Sequence, residues 1–171
     1  MNDSNTVNEH KAEAPERVSC AVITVSDTRT LENDSGGALI AELLQAAGHN
    51  VHSREIIPYE PAVMKPLIER LEQDPGIDVI LMTGGTGISS RDQTYETVTS
   101  IISKPLTGYG ELFRMLSYQQ IGSAAILSRA VGGLINDAVI LTMPGSPKAV
   151  QLAMNEIILP EICHLVREAN K

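Results

Sequence analysis

Three uninterrupted apolar runs constrain this chain more than any other feature: Val18 to Val25 (VSCAVITV), Val79 to Met82, and Val139 to Met143. A strand covered on both faces shows continuous rather than alternating hydrophobicity, as in a parallel sheet held between helix layers. Between the runs, apolar residues recur at helical spacing. Leu39, Ile40, Leu43, Leu44 and Ala47 form one stripe, with Ser35 as its expected cap and Gly48 as its stop. Val63, Met64, Leu67, Ile68 and Leu71 form another, after the turn Pro58-Tyr59-Glu60-Pro61. Val51 to Ile57 reads as a less regular strand, Thr94 to Ile102 and Glu111 to Gln120 as helices, and Ala124 to Leu127 as a short strand. Val150, Met154, Ile157 and Ile158 mark a final helix that Pro160 bends or restarts. Strands alternating with amphipathic helices predict an α/β fold, a largely parallel central sheet flanked by helices in three layers.

The 171 residues suffice for one domain, expected over residues 18–171. Residues 1–17 (MNDSNTVNEHKAEAPER) hold almost nothing apolar and read as a disordered tail. Lys and Arg number 13 against 21 Asp and Glu, a net charge of −8, which argues against general binding to nucleic acid or to anionic membrane. No stretch approaches the ~18 to 20 apolar residues of a membrane span, and the N-terminus lacks a basic-then-apolar signal pattern, so a cytoplasmic location is expected. Cys20 and Cys163 have no zinc-ligand spacing and read as small buried hydrophobes.

In parallel α/β sheets, ligands bind beyond the carboxyl ends of the strands. The three apolar runs end in Ser26-Asp27, in Thr83-Gly84-Gly85-Thr86-Gly87 and in Pro144-Gly145-Ser146, which predicts one composite site. Gly84 to Gly87 can bring backbone N–H groups against an anion, or form a tight structural turn. No Gly-Lys-Ser/Thr follows, and Ser90 stands where a dinucleotide fingerprint needs its third glycine. Asp92 can hold Mg²⁺ and Arg91 can pair with phosphate; helix capping by Asp92 or Thr94 is the alternative. Ser26-Asp27 and Ser128-Arg129 can each grip a ligand or satisfy local backbone. Arg114, beside Glu111, can be a solvated ion-pair partner.

Four blocks in order, TGGTGISSRDQT (Thr83 to Thr94), GYGELFRMLSYQQIG (Gly108 to Gly122), AILSRAVGG (Ala125 to Gly133) and MPGSPKAV (Met143 to Val150), closely resemble the MoaB/Mog family, which includes the molybdopterin-binding G domain of gephyrin. The wording GELFRMLS and MPGSPKA lies on the MoaB side of that family. The resemblance runs from about Val18 to Val166 and implies a Rossmann-like three-layer fold. It also implies a role in molybdenum cofactor synthesis: transfer of AMP from Mg-ATP to the terminal phosphate of molybdopterin, which prepares it for molybdate insertion by a MoeA-type partner. Trimers, sometimes paired into hexamers, are implied too. On this reading Gly84, Gly85, Thr86 and Gly87 cradle phosphate, Asp92 holds Mg²⁺, and Ser26, Asp27, Thr83, Ser128, Pro144, Gly145 and Ser146 line the same edge. Arg91, Arg114 and Arg129 are the candidates for local positive potential. One position departs from the family. Adenylating members carry an acidic residue directly after the proline of the turn matching Ile57-Pro58-Tyr59-Glu60, and here that place is Tyr59. A phenol is a poor Mg²⁺ ligand, which leaves Glu60 as the adjacent substitute. The resemblance thus supports an adenylyltransferase, with a non-catalytic molybdopterin-binding or carrier protein as the alternative.

Overall fold

The computed structural model describes residues 14–171, so the first 13 residues of the expected tail lie outside the described residues. Six strands form one sheet: β1 (Ser19–Val25), β2 (Asn50–Ile57), β3 (Val79–Thr83), β4 (Lys104–Pro105), β5 (Gly132–Ile135) and β6 (Ala138–Met143), in the order β2-β1-β3-β6-β5-β4. The first four in that order run parallel; β5 is antiparallel to β6, and β4 to β5. The helices are α1 (Ser35–Ala46), α2 (Pro61–Glu72), α3 (Thr94–Thr99), α4 (Thr107–Ile121), α5 (Pro147–Ala153) and α6 (Leu159–Ala169).

Each central strand feeds both helix layers, because side chains alternate between faces. Cys20, Val22, Val79, Leu81, Val139 and Leu141 pack with Ile40, Leu44, Phe113, Met154 and Ile162 from α1, α4 and the C-terminal helices. Their neighbours Ala21, Ile23, Ile80, Met82 and Ile140 pack on the opposite face with Met64, Ile68 and Leu71 of α2 and Val98 of α3. The expected three-layer α/β architecture is therefore present, and continuous hydrophobicity is its cause. Cys20 is a buried free thiol, pushed up to about 12 by burial first and by the nearby Asp78 second.

Several local expectations are corrected. Asp34, not Ser35, caps α1: its Oδ1 accepts the Gly37 N–H at 2.9 Å. Thr94 opens α3 as its first residue without capping it, and that helix ends at Thr99. Val63 is exposed rather than part of the α2 stripe. Gly122–Leu127 is a 3₁₀ helix instead of a strand, since no neighbour offers it a ladder and short apolar runs lack a decisive period. Helix α4 starts at Thr107, through Gly108 and Gly110. Gly110 is needed there because a Cβ would sit 2.6 Å from the Ala130 carbonyl oxygen. The unforeseen strand β5 contains Gly132 and Gly133 for the same reason, a Cβ on Gly133 falling 2.6 Å from the Lys104 carbonyl oxygen. Before Pro160 the helix widens into a π turn (Met154–Ile158), which absorbs the missing N–H of the proline. Against the expectation of no span-length stretch, Pro147–Ala169 is long and apolar enough to cross a membrane, but its apolar stripe is packed into the core.

The Asp34 side chain joins three elements. Besides the cap, Oδ2 accepts Thr24 Oγ1 of β1 at 2.8 Å and Arg54 Nη2 of β2 at 2.9 Å. Burial pushes this carboxyl up, but the Gly37, Arg54 and Thr24 bonds outweigh it and hold the group below its ordinary value. Asp34→Asn keeps the shape and loses the ion pair, so urea unfolding at pH 7 should show a loss of about 1–3 kcal/mol. A depressed carboxyl stabilises above its unfolded value and loses that effect as pH falls through the folded one. The gap between wild type and variant should therefore close below about pH 4.

Candidate functional site

The strand register makes the carboxyl edge level. Val25 pairs with Ile57, Thr24 with Thr83, and Thr83 with Met143, so β1, β2, β3 and β6 end side by side. The ladder runs one bond further: Ser26 N donates to the Ile57 carbonyl at 2.8 Å and Gly84 N to the Met143 carbonyl at 3.1 Å. Chain order reverses direction between β1 and β3, and a crevice opens where connections leave such a pair on opposite faces.

Among the cavities at that edge, two meet at the glycine-rich loop. The larger, about 370 Å³, is lined on one side by Gly84 to Gly87, Asp92, Ser128 and Pro144 to Ser146, and on the other by Phe113, Ser117, Ile121 and Leu127. The smaller, about 250 Å³, is lined by polar groups that include Ser26, Arg29, Ser35 and Thr83. Tyr59, Gly84 and Gly145 belong to both, so the cavities meet there.

The glycine-rich loop is built for close backbone approach. Gly84 and Gly85 have φ of 95° and 66°, and a side chain on Gly84 would collide with the Val25 carbonyl. The N–H groups of Gly85, Thr86 and Gly87 have no acceptor among the described residues. Successive open donors that follow two positive-φ glycines are the kind of backbone array that can receive an anion. Arg129 holds the opposite side of the loop: Nε donates to the Thr86 carbonyl at 3.1 Å, Nη2 donates to the Gly87 carbonyl, and Nη1 pairs with Glu96. In a trans peptide the N–H points away from the C=O, so tying the Thr86 carbonyl to Arg129 turns the Gly87 N–H the other way. The Arg129 hydrogen bond and charge hold the Glu96 carboxyl below its usual range.

Asp92 projects into the larger cavity with one oxygen engaged, Oδ2 accepting the Ser89 N–H at 3.0 Å and the Ser89 hydroxyl at 2.7 Å. Its Oδ1 has no partner among the described residues. One oriented carboxylate suits Mg²⁺ that also takes phosphate oxygens and keeps waters. No group of three or more His, Cys, Asp or Glu among the described residues could cage a metal by itself. The fit to a magnesium–phosphate unit thus rests on Asp92 and the open donors together. Ser128 Oγ is a second unsatisfied group, buried and unpartnered in the cavity wall.

Of the residues singled out from the sequence, Gly84 to Gly87, Asp92, Ser128 and Pro144 to Ser146 converge on the larger cavity. Ser26 and Thr83 line the smaller one. Ser26 Oγ also accepts the Thr28 and Arg29 N–H groups, and Thr83 Oγ1 donates to the Pro144 carbonyl. Asp27 and Arg91 line neither of these two; Asp27 lines a third cavity of about 510 Å³ with Ser26, Arg29 and Pro58, and the two side chains form an exposed ion pair in which Arg91 holds the Asp27 carboxyl below its ordinary value. Glu60 precedes α2, is exposed, and lines neither cavity. Of the arginines expected to supply positive potential, Arg91, Arg114 and Arg129 line neither cavity, and Arg91 and Arg129 are each paired with a carboxylate. Sequence reasoning missed the apolar wall, although Phe113, Ser117 and Ile121 at spacing four on α4 carried its signal.

Comparison with known proteins places the chain in a family. Residues 21–164 match the family described as a probable molybdopterin binding domain. "Molybdenum cofactor biosynthesis protein B" of Bacillus subtilis is 49% identical over 167 residues, covering 97% of this chain and 98% of that protein. The protein of the same name from Staphylococcus carnosus is 48% identical over 174 residues, with coverage of 97% and 99%. A crystal structure of molybdenum cofactor biosynthesis protein B superposes with a TM-score of 0.89 at 47% identity, covering 92% of this chain and 99% of the other. The tungsten cofactor synthesizing protein MoaB from Pyrococcus furiosus gives 0.81 at 35% identity, covering 92% and 100%. With a family match over residues 21–164, 49% identity across nearly the whole chain and the same fold, the chain belongs to the molybdopterin-binding MoaB/Mog family and has a role in molybdenum cofactor biosynthesis.

Proposed function

We propose that this protein binds molybdopterin and, with Mg-ATP, transfers AMP to its terminal phosphate, releasing pyrophosphate. The observation that carries the reading is the row of open N–H donors at Gly85, Thr86 and Gly87 beside the half-engaged carboxylate of Asp92, where two cavities meet. Joining two polyanions needs in-line positioning and absorption of developing charge. Backbone donors at Gly85 to Gly87 supply the second without a cationic side chain. Asp92 would hold the Mg²⁺, which when bound neutralises phosphate charge. Phe113, Ile121 and Leu127 offer an apolar wall to a planar ring. A cytoplasmic site of action and delivery to a MoeA-type insertion partner complete the proposal.

A second reading, a non-catalytic molybdopterin binder or carrier, draws on Tyr59. Its ring packs against Gly85 at the junction of the cavities, where adenylating relatives carry an acid, while the carboxylate next in sequence, Glu60, faces solvent. Incubation of the purified protein with molybdopterin and Mg-ATP, followed by mass spectrometry for the adenylylated pterin, separates the two. Product supports the enzyme; bound molybdopterin without product supports the carrier. In an active protein, Asp92→Asn should cut turnover at least about tenfold. A comparable loss in Glu60→Gln would assign Glu60 the missing ligand role.

A trimer, or a pair of trimers, is also proposed. Leu112, Met115, Tyr118 and Ile121 of α4, together with Ile126 and Leu127 just beyond it, are large apolar side chains left exposed, as an assembly contact would need. Light scattering at micromolar concentration should report three or six subunits, and Leu112→Ser with Met115→Ser should shift the mass downward; a wild-type monomer would count against assembly.

A further inference from the structure

The ion pair between Arg91 and Asp27 joins loops 64 residues apart at the point where the cavities meet. Asp27 Oδ1 also accepts the Tyr59 N–H at 3.4 Å, and the Arg91 guanidinium lies over the Tyr59 ring, 5.9 Å from its centroid. Three loops, those after β1, β2 and β3, are thereby tied across the rim. Arg129 is tied to Glu96 and to two loop carbonyls, whereas Arg91, the guanidinium carried by the glycine-rich loop itself, is ion-paired among the described residues with Asp27 alone and is the more readily turned toward an incoming anion. It can do so only by releasing Asp27, and a bare Asp27 beside an anion is repulsive until a cation covers it.

Resting on the reading of this edge as a site for phosphate and a divalent cation, we propose that Asp27 and Arg91 form an exchange latch: the anion takes Arg91, the cation takes Asp27, and each binds more tightly once the other has opened the pair. The side chains are 36% and 58% exposed, so the pair is weak enough to open on binding. Because the same contact is broken by either ligand, the coupling is reciprocal. Asp27 and Arg91 act here as positioning residues, and the latch does not depend on whether turnover follows.

Calorimetry on wild type, Asp27→Asn, Arg91→Gln and the double variant tests this, with pyrophosphate in chelator-treated buffer and Mg²⁺ alone as separate probes. Asp27→Asn should tighten metal-free pyrophosphate about two- to fivefold when Arg91 is present, and distinctly less in the Arg91→Gln background. Arg91→Gln should tighten Mg²⁺ by a similar factor only when Asp27 is present. Equal effects in both backgrounds would overturn the latch while leaving the proposed function standing. Failure of the wild type to bind either probe at millimolar concentration would overturn both.

Discussion

Parallel pairing of β3 with β1 on one side and β6 on the other is the constraint from which the rest of the molecule follows. Such strands need apolar cover on both faces, which places α1 and the C-terminal helices on one side and α2 with α3 on the other. The pairing Thr24–Thr83–Met143 also makes three strand ends level, so the loops that follow have no room for side chains between them. Gly84 is the clearest consequence: it lies against the Val25 carbonyl, and a Cβ on Gly145 would lie 3.4 Å from its Cα. Larger residues there would separate the strands that create the crevice.

That crowding explains how a chain of net charge −8 can offer a place to polyanions. On the proposed reading, the positive potential comes in part from open peptide N–H groups of a loop in which Arg129 holds the Thr86 and Gly87 carbonyls from behind. Asp34 has a similar supporting role on the other side of the edge, capping α1 while anchoring it to β1 and β2. Both residues are distant from one another in sequence, yet both set the shape of the same crevice.

The three-layer architecture, the order of the central elements and the convergence of Ser26, Gly84 to Gly87 and Gly145 on one edge were legible in the sequence. Each follows from local pattern: continuous apolar runs give doubly buried strands, and parallel strands gather their carboxyl ends. Asp92 was legible for a related reason, since it belongs to the loop that leaves β3. Tertiary structure alone decided what depends on contacts between distant segments. It made Gly132 and Gly133 a strand, because their backbones must pass close to Ile102, Lys104 and Leu141. It gave the cap of α1 to Asp34, whose partners lie on two other strands, and it drew Arg91 to Asp27 and Arg129 to Glu96. A sequence records which residues carry charge and hydrogen-bonding capacity; which partner consumes that capacity is set by packing, and packing left the backbone donors of Gly85 to Gly87 open.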